Sequence, residues 1–307
     1  MARVLCIGDA CADIIIPYGK SLKGEKATAS FSCGGANANS AYVLSKLGID
    51  VSFFGKAGND LYGRAMKKQL ADSGADVSHF ILSDDLVSTQ VLMVLDEDGE
   101  RHPFLMPKDE PSYLQIHQED FADIDLKDIE YILTNGMMFF QEPAASSILS
   151  FLHKAHDQGI KIVLDINYRI ETADQDDTKL KEVIAISDIL LGSIQDDLLP
   201  LCGTDDIFKI PEILDNEMIV VHDAKGAYVF SQGKVWHADS FPVKIKDSTG
   251  AGDAFNAGFM YGLISSHDLK TCAVSGCAAA ALCIQHEGTR FPIDEEILLS
   301  FIAQSAR

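Results

Sequence analysis

Apolar and polar positions along the chain follow two alternating periods. Short, nearly continuous apolar runs are typical of strands buried on both faces, and segments with an apolar residue every three or four positions are typical of helices. The predicted strands span residues 4–16, 49–54, 129–134, 160–166, 189–191 and 218–222. The predicted helices span residues 38–47, 60–73, 143–158, 178–186, 251–264 and 269–286. This alternation predicts an α/β fold with a mostly parallel central sheet and helices on both faces.

A second pattern interrupts this alternation in the first third of the chain. Residues 88–95 and 102–106 flank the acidic turn Asp-Glu-Asp-Gly, which predicts a β-hairpin. With the segment near residues 14–33, the hairpin region near residues 87–108 predicts a small β lid. The sequence contains no internal repeat, low-complexity stretch or Pro/Ser-rich linker. We therefore expect residues 1–307 to form a single domain that carries this lid.

Composition and charge exclude several classes of protein. The 307 residues, 47% apolar and 23% charged, are typical of one large folded domain. Lys plus Arg number 25 and Asp plus Glu 46, for a net charge of −21. Such a surface repels phosphate backbones and anionic lipids, so we expect no nucleic-acid partner and no membrane partner. An anionic ligand would need a local source of positive charge, such as a helix N-terminus or a bound cation.

The cysteines indicate a reducing compartment. Seven cysteines, an odd number with no Cys-x-x-Cys pair, lie mostly in apolar stretches, where free thiols behave as small hydrophobic residues. The first residues lack the pattern of a secretion signal. The longest apolar run, residues 278–284, is far below the roughly 18 residues that span a bilayer. The expected location is the cytoplasm.

The segment 247–255, Asp-Ser-Thr-Gly-Ala-Gly-Asp-Ala-Phe, carries the strongest chemical signal. Its glycines let the backbone approach a ligand, and the helix that follows points free N–H groups at the same place, which is typical of an anion site. A carboxylate such as Asp253 would repel a phosphate there, so its presence indicates another task, which is to take a proton from the group that attacks the phosphate. The alternative is that Asp253 caps the helix. The segment lacks the lysine of a Walker loop and the glycine spacing of a dinucleotide site.

This segment resembles the C-terminal signature of the ribokinase-like (PfkB) carbohydrate kinases. Residues 34–39, Gly-Gly-Ala-Asn-Ala-Asn, resemble the N-terminal signature of that family. The likeness covers nearly the whole chain, from Gly8 to Gly288. It implies a ribokinase-like fold and ATP-dependent transfer of the γ-phosphoryl group to a primary hydroxyl of a small sugar or sugar acid, with Mg²⁺ as cofactor.

The resemblance also implies roles for particular residues. Asp253 matches the base that deprotonates the sugar hydroxyl, and the backbone N–H groups of residues 250–253 (Gly250, Ala251, Gly252 and Asp253) match an anion hole. The positions that match sugar-binding residues are Asp13, Gly34, Gly35 and Asn39. Without the resemblance, Asn39 is an ordinary first-turn helix residue and the two glycines form a plain turn.

Two further positions in the sequence bear on the substrate. Ala36 stands where family members that act on phosphorylated sugars tend to carry lysine, which disfavours a phosphosugar. Residues 165–169, Asp-Ile-Asn-Tyr-Arg, resemble a segment of fructokinases and 2-keto-3-deoxygluconate kinases, and in the latter the arginine helps to bind the carboxylate of the sugar acid. Arg169 is therefore a substrate candidate, and its alternative is a surface pair with an acid such as Glu171. Residues 104–108 lack the Tyr and Arg that those kinases usually carry in the lid.

The nucleotide side departs from the family pattern. Ser193 and Asp196 replace the usual Asn-x-x-Glu, and the usual Thr-x-Gly-x-x-Gly loop reads Val-His-Asp-Ala-Lys-Gly over residues 221–226. Gly226 remains, and Asp223 places a carboxylate where nucleotide phosphates would lie. We take Ser193, Asp196, Asp223 and Gly226 as the nucleotide-binding candidates.

Asp247 and Thr249 remain as candidates for a monovalent-cation site. With the backbone near Gly288, they match positions that bind a cation such as K⁺ in some family members. A purely structural turn is the equal alternative.

Two other functions are also compatible with the sequence. A nucleoside kinase of the same family would stack a base on lid aromatics such as Tyr18, Phe31 and Phe104. A sugar-binding regulatory protein with impaired transfer would be compatible with the altered nucleotide loop. Exposed strand edges and apolar faces of the lid, together with the family resemblance, predict a homodimer.

Overall fold

The computed structural model describes residues 4–26, 28–96, 101–167 and 178–305. Its strands, in chain order, are β1 (Val4–Ile7), β2 (Cys11–Ile16), β3 (Ser30–Gly34), β4 (Val51–Gly58), β5 (Phe80–Ser83), β6 (Gln90–Leu95), β7 (Arg101–Met106), β8 (Tyr131–Asn135), β9 (Lys161–Asp165), β10 (Ile189–Ser193), β11 (Met218–Asp223), β12 (Gly226–Ser231) and β13 (Lys234–Asp239). Its helices are α1 (Tyr18–Leu22), α2 (Ala36–Lys46), α3 (Leu61–Ser73), α4 (Ala144–His156), α5 (Thr178–Ile186), α6 (Leu199–Cys202), α7 (Ile210–Ile213), α8 (Ala251–Ile264), α9 (Leu269–Cys283) and α10 (Glu295–Ser305).

Nine strands form the main sheet, in the order β13-β12-β11-β10-β9-β8-β1-β4-β5. Every neighbouring pair from β11 to β5 is parallel, and only β12 runs antiparallel to its two neighbours. The parallel strands are connected through helices, as the alternating pattern predicts. The prediction of a mostly parallel central sheet is confirmed.

Both faces of this sheet are covered because successive side chains of each strand point to opposite sides. In β1, Val4 and Cys6 join the core that contains residues of α2, α3, α8 and α9. Leu5 and Ile7 join the second core, which contains residues of α4 and α5. The predicted helix layers on both faces are therefore confirmed.

The prediction of one strand over residues 4–16 is wrong. The segment forms two strands that belong to different sheets, because the chain turns after Gly8. The carboxylate of Asp9 in this turn accepts hydrogen bonds from the backbone N–H groups of Ala36 (2.9 Å) and Asn37 (3.3 Å). Asp9 therefore caps α2 from a distant part of the chain, because the N-cap residue Gly35 offers no side chain.

A four-stranded small sheet, in the order β3-β2-β6-β7, lies beside the main sheet. Strands β6 and β7 form the predicted hairpin, and β2 pairs with β3 antiparallel and with β6 parallel. The small sheet is built from the two segments that the sequence predicts for the lid. Residues 97–100 of the hairpin turn lie outside the described part.

Capping residues close to the ends of a helix set its limits where the sequence predicts them. The Asp60 side chain accepts from the N–H of Gly63 (2.9 Å) at the start of α3, and Gly74 ends that helix in a left-handed conformation (φ 104°). Strands β5, β12 and β13 and helices α1, α6, α7 and α10 have no counterpart among the elements predicted from the sequence. Within the described residues, no helix has the length and apolar character needed to cross a membrane.

Candidate active site

The carboxyl ends of five parallel strands lie along one edge of the main sheet. Each carries a polar residue at or just after its end: Asp9, Asn135, Asp165, Ser193 and Asp223. The register places them side by side, since Asn135 pairs with Asp165 and Ser193 pairs with His222, one residue before Asp223. Ligands of open α/β sheets bind at this edge. The candidate site lies here, between the sheet and the N-terminus of α8.

The first turn of α8 has the conformation expected of an anion site. Its N-cap, Gly250, is left-handed (φ 77°) and provides no side-chain cap, and a Cβ there would lie 2.7 Å from Cγ2 of Thr289. The Ala251 N–H already donates to the carbonyl oxygen of Ser248 (3.2 Å). A Cβ on Gly252 would meet only Cε1 of His222, at 3.6 Å. Glycine at position 250 is therefore required by the backbone, and Gly252 leaves the turn accessible to a ligand.

Asp253 is joined to the N-terminal glycine motif. The Asn39 side chain donates from Nδ2 to Oδ2 of Asp253 (2.7 Å), and the Ser40 hydroxyl donates to the backbone oxygen of Asp253 (3.2 Å). Asn39 is 5% exposed. The two sequence motifs therefore lie in contact, and Asp253 is held by a side-chain hydrogen bond as well as by its place on α8.

Arg290, which the sequence analysis missed, lies behind Asn39. Its Nη1 donates to Oδ1 of Asn39 (2.6 Å) and to Oγ1 of Thr289 (2.9 Å), and its Nε donates to Oε1 of Gln69 (2.6 Å). The guanidinium lies 4.6 Å from the ring centre of Tyr42, a cation–π distance. Burial lowers the pKa of Arg290, and the charges around it, including Asp253 and Asp13, oppose that shift.

Asp13, a predicted sugar-binding residue, lies against Gly34 at the junction of the two sheets. A Cβ on Gly34 would lie 2.1 Å from Oδ2 of Asp13, so only glycine leaves room for this carboxylate. The Cys11 thiol donates to Oδ1 of Asp13 at 3.5 Å. Burial raises the pKa of Asp13 to about 6; Asp9 adds to that shift, while the Cys11 hydrogen bond and Arg290 oppose it. Gly35 beside it has φ 102° and lies close to the backbone of Asp9.

Further polar residues of the sheet edge support these groups. Asn135 donates from Nδ2 to Oδ1 of Asp9 (2.7 Å) and to Oδ1 of Asn37. Burial raises the pKa of Asp165 well above its usual range. The nearby carboxylates of Asp197 and Asp253 raise it further. This shift favours the protonated form of Asp165, which would reduce the repulsion among the acids of this edge.

Comparison with known proteins agrees with this geometry. A model of the pfkB family carbohydrate kinases matches residues 1–296. The chain belongs to the pfkB family of carbohydrate kinases. It is 26% identical to a 5-dehydro-2-deoxygluconokinase of Bacillus subtilis, over 98% of this chain and 96% of that protein. A fructokinase from Xylella fastidiosa with bound ATP superposes with a TM-score of 0.85 at 21% identity, over 100% of both chains. A fructokinase double mutant from Vibrio cholerae, bound to fructose, ADP and potassium, superposes with a TM-score of 0.83 at 25% identity, over 98% of both chains.

This pfkB kinase belongs to a family of carbohydrate kinases, which are phosphotransferases that act on an alcohol group. The predicted family and the predicted class of reaction are both confirmed. Its fold is ribokinase-like, as expected from the resemblance.

The nucleotide candidates of the pfkB kinase lie at the ends of β10 and β11. Ser193 caps a π-helical turn, Ile194–Leu198, because its hydroxyl accepts from the N–H of Asp196 (3.1 Å). Asp196 is exposed, whereas Asp197 is buried and accepts from the N–H of Ser193 (2.7 Å). Ser193 and Asp197 therefore have structural contacts of their own, and Asp196 carries its charge at the surface.

The altered loop forms the tight turn between β11 and β12. Asp223 pairs with Gly226 across the turn, and its Oδ1 accepts from the N–H of Lys225 (2.7 Å). Gly226 has φ 142°, and a Cβ there would lie 2.1 Å from the carbonyl oxygen of Ala238.

His222 connects this turn with α8. Its ring centre lies 4.4 Å from that of Phe255, and burial lowers the pKa of His222 to about 4, against a smaller opposite effect of Asp223. A neutral imidazole therefore lies beside the first turn of α8.

Asp247 and Thr249 are brought together as predicted. One carboxylate oxygen of Asp247 accepts from the N–H (2.9 Å) and the hydroxyl (2.7 Å) of Thr249, and the other accepts from the N–H of Gly288 (3.0 Å). These bonds close a turn just before α8. Arg169, predicted to bind the substrate carboxylate, lies outside the described residues, as does Glu171.

Proposed function

We propose that this kinase transfers the γ-phosphoryl group of ATP to a primary hydroxyl of a small keto sugar acid, with Asp253 as the general base. The hydrogen bond between Asn39 and Asp253 carries the proposal. It holds a carboxylate at the first turn of α8, where an anion would bind, and beside the glycine motif on which a sugar would lie.

The reaction needs positioning and charge stabilisation more than covalent help. Asp253 orients the acceptor hydroxyl and takes its proton as the oxygen attacks the γ-phosphorus. The N–H groups of the first turn of α8, with the positive end of the helix dipole, stabilise the charge of the transferred group. We therefore assign the anion hole to residues 250–253, where the Ala251 N–H would exchange its bond to the carbonyl oxygen of Ser248 for one to the phosphate, and only Asp253 moves a proton.

The sugar would lie between Asp13, Gly34, Gly35 and Asn39. Asp13 and Asn39 offer both donors and acceptors to a polyol, and the glycines let it approach the backbone. Similarity to 5-dehydro-2-deoxygluconokinases favours a sugar acid over a neutral sugar. In a chain of net charge −21, a carboxylate substrate needs a local cation. We assign that role to Arg169, which follows the end of β9 in sequence.

ATP would lie over the ends of β10 and β11, near Ser193, Asp196, Asp223 and Gly226. The described residues contain no cluster of three or more side chains that could hold a metal by themselves. This fits Mg²⁺, which usually binds through substrate phosphates, waters and one or two carboxylates. The exposed Asp196 is the carboxylate that we assign to it. Bound Mg²⁺ would neutralise charge on the phosphates.

We propose the turn of Asp247 and Thr249 as a K⁺ site. It offers a carboxylate and a hydroxyl, which are hard oxygen ligands, directly before the anion hole. A purely structural turn is the alternative. Replacing KCl by choline chloride in the assay separates them, because only a cation site makes the rate depend on K⁺.

We further propose that the whole chain acts as one kinase domain, with the small sheet as its lid and as the contact of a homodimer. Phe31, Phe104 and Met106 of this sheet are 45%, 54% and 49% exposed. A partner's small sheet would cover them. All seven cysteines are described and unpaired, which fits the reducing cytoplasm.

The test is an ADP-release assay over sugar acids, neutral ketoses and nucleosides, with the Asp253→Asn variant as the blank. Turnover highest with a keto sugar acid supports the proposal. Highest turnover with a nucleoside would favour the nucleoside kinase, for which Tyr18, Phe31 and Phe104 are available. Sugar binding by calorimetry without ADP release would favour the regulatory protein.

A further inference from the structure

Arg290, about which the sequence analysis made no prediction, contacts several side chains at the candidate site. Its guanidinium donates to Asn39, Gln69 and Thr289 and packs on the ring of Tyr42. Thr289 is itself anchored, because its hydroxyl donates to the carbonyl oxygen of Cys33 in β3 (3.0 Å). The guanidinium is thus held from α2, from α3 and, through Thr289, from the small sheet.

The contact with Asn39 has a direction that follows from chemistry. A guanidinium can only donate, so the amide atom that faces Arg290 must be the oxygen Oδ1. The NH₂ end of Asn39 then faces Asp253, where it donates to Oδ2. In the flipped amide, Oδ1 would face the carboxylate and the NH₂ group would face the guanidinium, so both contacts would be repulsive. Arg290 and Asp253 therefore both favour the same orientation of the Asn39 amide, and Arg290 holds the end that faces away from Asp253.

We propose that Arg290 is a positioning residue for phosphoryl transfer, which acts through Asn39 on the carboxylate of Asp253. With the amide of Asn39 held, one carboxylate oxygen of Asp253 is fixed and the orientation of the whole group is set. The inference rests on the proposed role of Asp253 as the base. Small errors in the position of a reacting group lower the rate strongly, since a displacement of about 1 Å can reduce it by about 10²-fold.

Arg290 acts at a distance from the chemistry. Its Nε and Nη1 donate to protein atoms, and its link to Asp253 passes through one side chain. Removing it should therefore change the turnover number more than the affinity for ATP. The decrease in turnover number should also disappear in a variant whose residue 39 can no longer hydrogen-bond to both Arg290 and Asp253.

The experiment is a double-mutant cycle on kcat, with Arg290→Met, Asn39→Ala and the combined variant. Arg290→Met is expected to lower kcat by about 10- to 100-fold while the KM for ATP changes less than about twofold. In the Asn39→Ala background, the same substitution should lower kcat less than about twofold, because the two residues act as one unit. Arg290→Lys keeps one charged donor and should retain an intermediate kcat; it also provides a folded variant should Arg290→Met fail to fold.

Lys56→Met provides the matched control. It removes a largely buried cation from its ion pair with Asp120 (2.8 Å), which involves none of the residues assigned to the site. It should lower the melting temperature without lowering kcat. If Arg290→Met behaves in the same way, or if its effect on kcat is additive with that of Asn39→Ala, the positioning role is wrong. Asp253→Asn distinguishes a failure of the underlying proposal, because an active Asp253→Asn enzyme would show that Asp253 is not the base, whatever Arg290 does.

Discussion

Asn39 and Asp253 are joined by a 2.7 Å hydrogen bond although 214 positions separate them in the sequence. Each lies in the first turn of its own helix, α2 or α8, and the contact places those two helix starts side by side. In the proposed site, the sugar side and the phosphate side would therefore share one pair of side chains.

The role of Asp253 can be separated from that of a helix cap. The N-cap of α8 is Gly250 and Asp253 lies inside the first turn, so the Asp253→Asn variant should fold and bind sugar, but kcat should fall by about 10²–10⁴-fold because the base is lost. Steady-state kinetics and calorimetry measure the two quantities. The matched control is Asp268→Ala, which removes the cap of α9. It should lower the melting temperature and leave kcat unchanged. An Asp253→Asn enzyme with nearly full activity would contradict the assignment.

Asp13 should make stability depend on pH in a predictable direction. Burial raises its pKa from 3.8 to about 6, so between these values the folded protein binds more protons at Asp13 than the unfolded chain does. Its contribution to stability is therefore present below pH 3.8 and is lost as the pH rises through 6. Asp13→Asn removes the charged form and should stabilise the protein at pH 7–8 by about 2–3 kcal/mol, with no gain near pH 4.

The measurement is the melting temperature of the unmodified protein and of the Asp13→Asn variant from pH 4 to pH 8. The low pKa of His222, about 4, has the opposite effect on the pH dependence of stability. That effect is common to both proteins and cancels in the difference. A constant difference between the melting temperatures of the two proteins at all pH values would show that folding does not raise the pKa of Asp13.

Asp223 should weaken ATP binding through its charge. Its carboxylate closes the turn by accepting from the N–H of Lys225, and an asparagine can keep that bond. Asp223→Asn should therefore lower the KM for ATP by about two- to fivefold, since one like charge beside the phosphates is removed. The KM for the sugar should stay the same.

Asp125→Asn is the control for this effect. It removes a charge from an equivalent turn, in which Asp125 accepts from the N–H of Lys127 (3.0 Å). Asp125 lies near Leu5 and Ser52, at the opposite edge of the sheet. Weaker ATP binding by Asp223→Asn would mean that the carboxylate helps to organise the nucleotide.

Arg169 should distinguish sugar acids from neutral sugars. A charge-assisted bond to a carboxylate contributes about 1.5–3 kcal/mol, so Arg169→Ala should raise the KM for the keto sugar acid by about 10- to 150-fold. The KM for a neutral ketose should hardly change. Equal, small effects on both substrates would leave Arg169 as a surface residue and would favour a neutral ketose.

The small sheet should hold two copies of the chain together. Phe104→Asp places a charge on its exposed face, where Phe104 is 54% exposed, and should convert a dimer to a monomer. Leu61→Asp, at a position that is 73% exposed outside the small sheet, should leave the dimer intact. Light scattering at micromolar concentration gives the mass. A monomeric mass for the unmodified protein would exclude the homodimer.

Much of the fold could be predicted from the sequence because the signals are local. Helices such as α3 and α8 have apolar spacing, caps and glycines within a few residues of their ends, so their limits follow from the chain itself. The strand pattern failed at residues 4–16, where Gly8 and Asp9 interrupt an otherwise apolar run. Nothing local shows that the chain changes sheets there. In the structure, Asp9 of this turn caps α2, a contact across 27 positions.

The sequence by itself determined the class of fold, the two glycine motifs and the acid at the start of α8, because each is written in neighbouring residues. Only the tertiary structure decided which side chains meet. Arg290 follows an ordinary turn and has no motif of its own, yet it lies on Asn39 across 251 positions. Such contacts depend on how helices pack on the sheet, and packing is a property of the whole core rather than of any short segment.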